Sequence, residues 1–528
     1  MTNKDIAPYD RATDTSESGT DRVQNDESSA FGSAQHSTYA DQEQHAANQE
    51  QDCGSADGRI FEEKQYLLTE GGFAERIKDT FGHILRYSYD RNVWYYWNQK
   101  CWQPDTRELT FLKACAREVV RQMMQQAFKT GDGKLLEFAE SLDKASRLRS
   151  VFGYLQSLSE MFIHSEEFDA DLDLVNCEDG TVSLRTGEIG PHRREDLITK
   201  MAPVGYDPGA ICPVWDETLE SVFHGDQQLI GYFGRAIGYA LMGTCSEKAM
   251  FVEYGPAANN GKTTVMHAIR RVLGDEQYAL EFDPGMLLST RDSGGYRPRG
   301  DIAALRGIRL AEGEELEGNR EISSSLIKRL VGGADTRIRA REVYQAASSF
   351  INTATIFLST NAVLRAKMEP AMANRLFIIP FDTVYVNTEE EANRRRESGQ
   401  QYVGLVDKTR QERLDAERPG IFNWVLRHCL EYRAQGLNPP AAAMEAKDRY
   451  IRLMDVIGCF VDECCELDLN AKTTVRNLLT RYQQWCKECG EPPMRKTDFT
   501  SELQNKGVYK TDEKTDGRYW YTGIRLKA

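Results

Sequence analysis

The chain has 528 residues, 40% of them hydrophobic and 28% charged, with a formal net charge of −15; that length suffices for two to four domains, each with its own core. The best apolar run, Leu229 to Met242, is too short to cross a bilayer and carries Arg235, and the polar N-terminus lacks a signal-peptide core, so a membrane role is set aside and a cytoplasmic location is expected. Twelve scattered cysteines make no dense disulfide framework.

Residues 1–66 read as a disordered acidic and polar tail, rich in Ser, Thr, Gln, Asn and Asp and too poor in large apolar side chains to offset the entropy of ordering. The first 60 residues hold 12 acidic and 4 basic side chains and so supply −8 of the net charge. The acidic total therefore does not exclude a nucleic-acid partner. Residues 67–240 read as one α+β module. Within it, Val93-Trp-Tyr-Tyr-Trp97 followed by Trp102 predicts an aromatic strand. Such rings can stack on bases, although core packing is their commoner use. A long helical stretch runs from Phe111 to Phe162, and Leu174 to Leu184 has the order strand, Asp179-Gly180 turn, strand.

Residues 241–385 carry the chemistry. An apolar segment, Ala249 to Tyr254, leads into Gly255-Pro-Ala-Ala-Asn-Asn-Gly-Lys-Thr-Thr264 and then a helical run, Val265 to Leu273. A phosphate-binding loop sits in such a strand-to-helix setting, where backbone N–H groups of the turn and helix N-terminus face the phosphates. Gly255, Asn260, Gly261, Lys262, Thr263 and Thr264 are the candidate nucleotide-binding residues. Lys262 would neutralise the outer phosphates, and the Thr263 hydroxyl would hold Mg²⁺. Five residues separate Gly255 from Gly261, where the usual spacing is four. An ordinary Gly-Pro turn is the alternative. Downstream, Ile308 to Ala311 is a short strand ending in Glu312-Gly-Glu314-Glu315, the setting in which NTPases hold Mg²⁺ and orient the attacking water; a solvated acidic loop is the alternative. The run Thr355 to Leu358 leads to Asn361, a polar side chain able to touch the γ-phosphate or the water.

The order of phosphate loop, Glu-Glu strand end, Lys328-Arg-Leu-Val-Gly-Gly333 and strand-Thr-Asn361 resembles the superfamily 3 helicases, and more narrowly the phage and plasmid primase-helicases related to the poxvirus primase-helicase. The resemblance extends from about Leu67 to Ala528 and includes Thr69 to Arg76, Trp94 to Trp102, Asn176 to Glu188, Gly238 to Gly243, Glu417 to Trp424 and Gly436 to Pro440. It implies an AAA+-like ATPase core at 241–385, a helical lid or linker at 386–454 and a winged-helix DNA-binding domain at 455–528, an α/β architecture throughout. It implies ATP and Mg²⁺ as cofactors, with Lys262, Glu314, Glu315, Asn361 and Arg375 as catalytic residues and Thr263 and Glu315 at the metal. Arg375 would reach the neighbouring subunit's nucleotide, and Asn374 replaces a second arginine common there. Arg337, Arg339 and Arg341, followed by Tyr344, would enter a pore hairpin.

In the C-terminal segment, helical patterns through Glu466 and from Val475 to Cys489 precede a recognition helix at Thr497 to Lys506. A hairpin from Val508 to Tyr521 follows. Lys496, Lys506 and Lys510 would face DNA. Cys464-Cys465 with Cys486 and Cys489 is a poor zinc pattern. The resemblance implies a ring, in all expectation a hexamer, moving on single-stranded or forked DNA during replication of a mobile element, with a separate primase or replication initiator as partner. A protein that grips an origin or loads a helicase under ATP control, without processive unwinding, is the alternative, as is one part of a primase-helicase.

Overall fold

In the computed structural model, the residues described are 65–105, 108–142, 144–289, 299–314, 321–341, 348–366, 369–490, 492–515 and 517–527. The acidic tail, Glu315 and Tyr344 lie outside them.

Helix α1 (Glu70–Phe81) starts on Thr69, whose hydroxyl accepts from the Gly72 N–H, a standard N-cap. It packs with α2 (Thr110–Thr130), α3 (Gly133–Ser141) and α4 (Ala145–Gln156) against a sheet of β1 (Leu85–Ser88), β2 (Val93–Trp97), β3 (Trp102–Pro104) and β4 (Phe162–Ile163), in the order β3-β2-β1-β4. The single helical stretch expected from Phe111 to Phe162 is thus three helices and a strand. Gly131 ends the first in the left-handed region at φ 71°, and Asp132 caps the next. Trp94 and Trp102 are buried, so these aromatics fill a core.

The residues from Val175 onward belong to a different core. The hairpin β5 (Leu174–Cys177) and β6 (Gly180–Ser183), with the short β7 (Ile189–Gly190) paired to β6, contributes Val175 and Val182 to a cluster shared with α5 (Pro213–Val222), α6 (Gln227–Met242) and the central sheet. The span 67–240 is therefore divided among three hydrophobic clusters, the third a small one of Tyr95, Trp102, Ile163 and Phe168. The centre is five parallel strands: β8 (Met250–Tyr254), β9 (Ala279–Phe282), β10 (Leu310–Glu314), β13 (Thr355–Thr360) and β14 (Leu376–Pro380), ordered β14-β8-β13-β10-β9. Their near-continuous apolar sequences fit a sheet covered on both faces. Helix α7 (Lys262–Leu273) follows β8, and a separate hairpin, β11 (Arg337–Ala340) with β12 (Ser348–Ile351), stands beside the sheet. Beyond β14 comes a parallel pair, β15 (Val384–Val386) with β16 (Val403–Leu405). Helix α8 (Arg418–Gln435) buries Ile421, Phe422, Trp424 and Val425 against α6, where the Gly238 position leaves no room for a Cβ beside the Cys429 backbone. 

After α9 (Ala441–Met454) comes a last module of α10 (Val456–Cys464), β17 (Cys465–Thr474), α11 (Val475–Glu488), α12 (Lys496–Asn505), β18 (Tyr509–Lys510) and β19 (Trp520–Leu526), with sheet order β17-β19-β18. The ten-residue strand β17 was not foreseen. Its polar sequence alternates weakly, and its pairing with β19 is what makes it a strand. No helix among the described residues is long and apolar enough to cross a membrane.

Candidate functional site

The loop from Gly255 joins the carboxyl end of β8 to α7, which begins at Lys262, three residues before the sequence pattern suggested. Two backbone positions are in the left-handed region, Asn259 at φ 56° and Gly261 at φ 86°. At Gly255 a Cβ would lie 2.4 Å from the Phe381 carbonyl oxygen, so glycine is required there. The extra residue is accommodated by Asn260, which is buried and whose amide donates to the carbonyls of Gly255 (3.2 Å) and Ala257 (2.9 Å), stitching the longer loop closed. The Tyr385 N–H holds it from outside through the Asn259 carbonyl at 2.7 Å.

Lys262 is 6% exposed. Its ammonium donates to Asn260 Oδ1 at 2.9 Å and Asn361 Oδ1 at 2.6 Å. A buried lysine bonded to two neutral side-chain amides, at a helix N-terminus, suits an anionic ligand that takes over those bonds. The Thr263 side chain is exposed at this mouth and Thr264 is half-buried. Asn361 follows β13, which lies between the loop strand β8 and the acidic strand β10. Strand order thus brings together three segments far apart in sequence.

Glu312 and Glu314 lie within β10 and not beyond its end. Glu314, Ser359 and Glu253 occupy one row across β10, β13 and β8. Glu253 was missed by the sequence reading because one Glu in an apolar strand carries no spacing signal. It is fully buried; the Ser359 hydroxyl donates to Oε2, while Oε1 has no hydrogen-bond partner. Burial raises its carboxyl to about 7, against the lowering effects of the Ser359 bond and the Lys262 charge. Glu312 is also fully buried. Its Oε2 is 3.0 Å from Arg270 Nε, an ion-pair contact too bent to be a hydrogen bond. Burial, then Glu253, drives its carboxyl well up.

Arg375 is not at this site. Its carbonyl accepts from the Met250 N–H at 2.7 Å, at the amino end of β8, whereas the loop leaves the carboxyl end, about 16 Å away at strand rise. Its guanidinium Nη1 donates to the Ala371 carbonyl at 2.6 Å.

On the hairpin, Ile338 and Ala340 are buried while Arg337, Arg339 and Arg341 face outward. Arg337 forms an exposed two-pronged pair with Glu166, at 2.6 and 3.1 Å. In the last module Lys496 is exposed at the start of α12. The Lys506 ammonium is bonded to Asp455. Lys510 lies over the Tyr519 ring at 4.5 Å.

Residues 74–224 match the family described as D5 N terminal like, and residues 452–518 match Poxvirus D5 protein-like. A helicase-named protein of Invertebrate iridescent virus 6, 184R, is 22% identical over 238 residues, which is 43% of this chain and 24% of that protein. The chain thus matches about a quarter of that relative's length. Two apo structures of the NrS-1 C terminal region are 9% identical, cover 84% of this chain and 96% of their own, and have TM-scores of 0.40 and 0.39; at those values the likeness assigns neither function nor site. The two regional matches and the viral relative support a phage or viral primase-helicase-like family for this chain.

Proposed function

We propose that the protein is an ATP-dependent DNA helicase with a superfamily 3, AAA+-like motor, acting as a ring on single-stranded DNA during replication. The carrying observation is the convergence of Lys262, Asn361 and the Glu314 strand at the carboxyl end of one parallel sheet, with the Asn361 strand inserted between the other two. Bound ATP would place its outer phosphates on Lys262 and the α7 N-terminus, displacing the ammonium from Asn361. Asn361 is then released to orient water, and Glu315 is the residue assigned to activate it. Mg²⁺, when bound, would neutralise phosphate charge at Thr263 and Glu315. The order helix, strand, helix, helix, hairpin after Asp455 supports a winged-helix module, with α12 as the helix presented to DNA.

The position of Arg375 favours a shared active site. At the opposite end of β8 from its own loop, it is beyond side-chain reach of its own nucleotide, so a catalytic role requires a neighbouring subunit. A forked-duplex unwinding assay with ATP tests the whole proposal: strand separation that requires hydrolysis is expected. DNA-stimulated ATPase without separation would instead identify an ATP-switched loader.

A further inference from the structure

The aromatic strand singled out in the sequence is core, but a different set of rings is on the surface. Tyr89, in the turn after β1, is 71% exposed, and Phe162, on the edge strand β4, is 39% exposed. Their centroids are 6.2 Å apart, and exposed His164 meets the Phe162 ring edge-on at 4.7 Å. Rings this open are normally mobile. Here the two loops bearing them are tied together by Asp90, which accepts from the Ser88 hydroxyl and from the Ser165 N–H and hydroxyl. One residue further on, Glu166 clasps Arg337 of the β11–β12 hairpin. The Glu166–Arg337 pair therefore joins the ring-bearing segment to the outward arginine face, which continues through Arg339. Of the neighbouring acidic groups, Asp90 and Glu166 are engaged as above, Glu167 accepts from the His164 N–H and Glu160 pairs with Lys78.

We propose that Tyr89 and Phe162 form a base-stacking platform for single-stranded DNA, whose phosphates run on to Arg339 and Arg341 of the hairpin. Fixed aromatic faces beside a basic stripe are the arrangement by which proteins bind unpaired strands without reading sequence. The proposal rests on the DNA-binding reading above and adds a contact outside the motor. It also gives the Glu166–Arg337 pair a purpose, as the joint that holds platform and hairpin in register.

The test is fluorescence anisotropy of the full-length protein with a labelled oligothymidylate and with a duplex, each over a salt series. Tyr89→Ala and Phe162→Ala should each weaken single-strand binding about 5- to 100-fold, the range for loss of one stacked base. The slope of affinity against salt should be unchanged, and so should duplex binding. Tyr89→Phe should bind as wild type, which separates stacking from hydroxyl chemistry. Tyr89 is so exposed that its replacement leaves folding intact, and circular dichroism checks this. Wild-type affinity in both alanine variants, or an effect equal on duplex and single strand, overturns the platform. A change in self-association in place of DNA affinity assigns the rings to a protein contact and also overturns it. If the wild-type protein binds no single strand at all, the helicase proposal fails with it.

Discussion

Replacing Glu253 by Gln isolates the energetic cost of a buried charge under the phosphate loop. The Ser359 hydroxyl can still donate to the amide oxygen, so the loop strand keeps its one side-chain bond. The carboxyl moves from 4.5 to about 7 on folding, which is worth at most about 3 kcal/mol. A carboxyl whose folded value is raised contributes its full stability below the unfolded value and loses it as pH rises through the folded one. The wild type should therefore lose that stability between pH 4.5 and about 7. The variant escapes this loss but carries a roughly pH-independent cost of about 1–3 kcal/mol for a buried amide N–H₂ without an acceptor. At pH 5 the variant should be the less stable protein, and by pH 8 the two should be close or reversed. Thermal midpoints of the two proteins, measured in parallel across that range, should change in difference by several degrees. The variant also relieves Glu312 of the Glu253 charge, which adds to the difference in the same direction. Parallel curves would refute the account and show that Glu253 keeps an ordinary proton affinity, through water or a cation reaching Oε1.

Lys262→Ala should abolish ATP turnover, read by phosphate release, while circular dichroism stays unchanged. Arg270→Ala should destabilise by about 1–3 kcal/mol, measured by denaturant unfolding at neutral pH, because it leaves the buried Glu312 carboxyl and the more exposed Glu281 without their guanidinium partner. Arg375→Ala and Lys262→Ala subunits should each be nearly inactive, yet mixtures should regain turnover when a ring pairs an intact loop with an intact arginine; zero activity at all ratios, with mixed assemblies present by native mass spectrometry, would refute the shared site. Arg339→Ala with Arg341→Ala should flatten the salt dependence of single-strand binding, since each lost phosphate contact releases fewer counterions.

The sequence by itself determined what depends on neighbours along the chain. The loop from Gly255 to Thr264 was legible because a glycine turn, a lysine and a helix start lie within ten residues, and the turn at Asp179-Gly180 for the same reason. The helix, helix, hairpin order after Thr474 was legible from periodicity and turn residues. The tertiary structure decided which distant segments meet. Asn361 touches Lys262 across 99 positions only because β13 is inserted beside β8. Glu253 becomes a site residue only through its row with Ser359 and Glu314, and Arg375 leaves its own site because a parallel strand puts its start and end at opposite edges of the sheet. Burial and ion pairing decided the rest. Trp94 and Trp102 went inside while Tyr89 and Phe162 stayed out, and Arg337 and Lys506 were taken up by Glu166 and Asp455. A local pattern fixes backbone conformation through short-range sterics and hydrogen bonds, whereas partners, exposure and charge state depend on contacts that chain order does not encode.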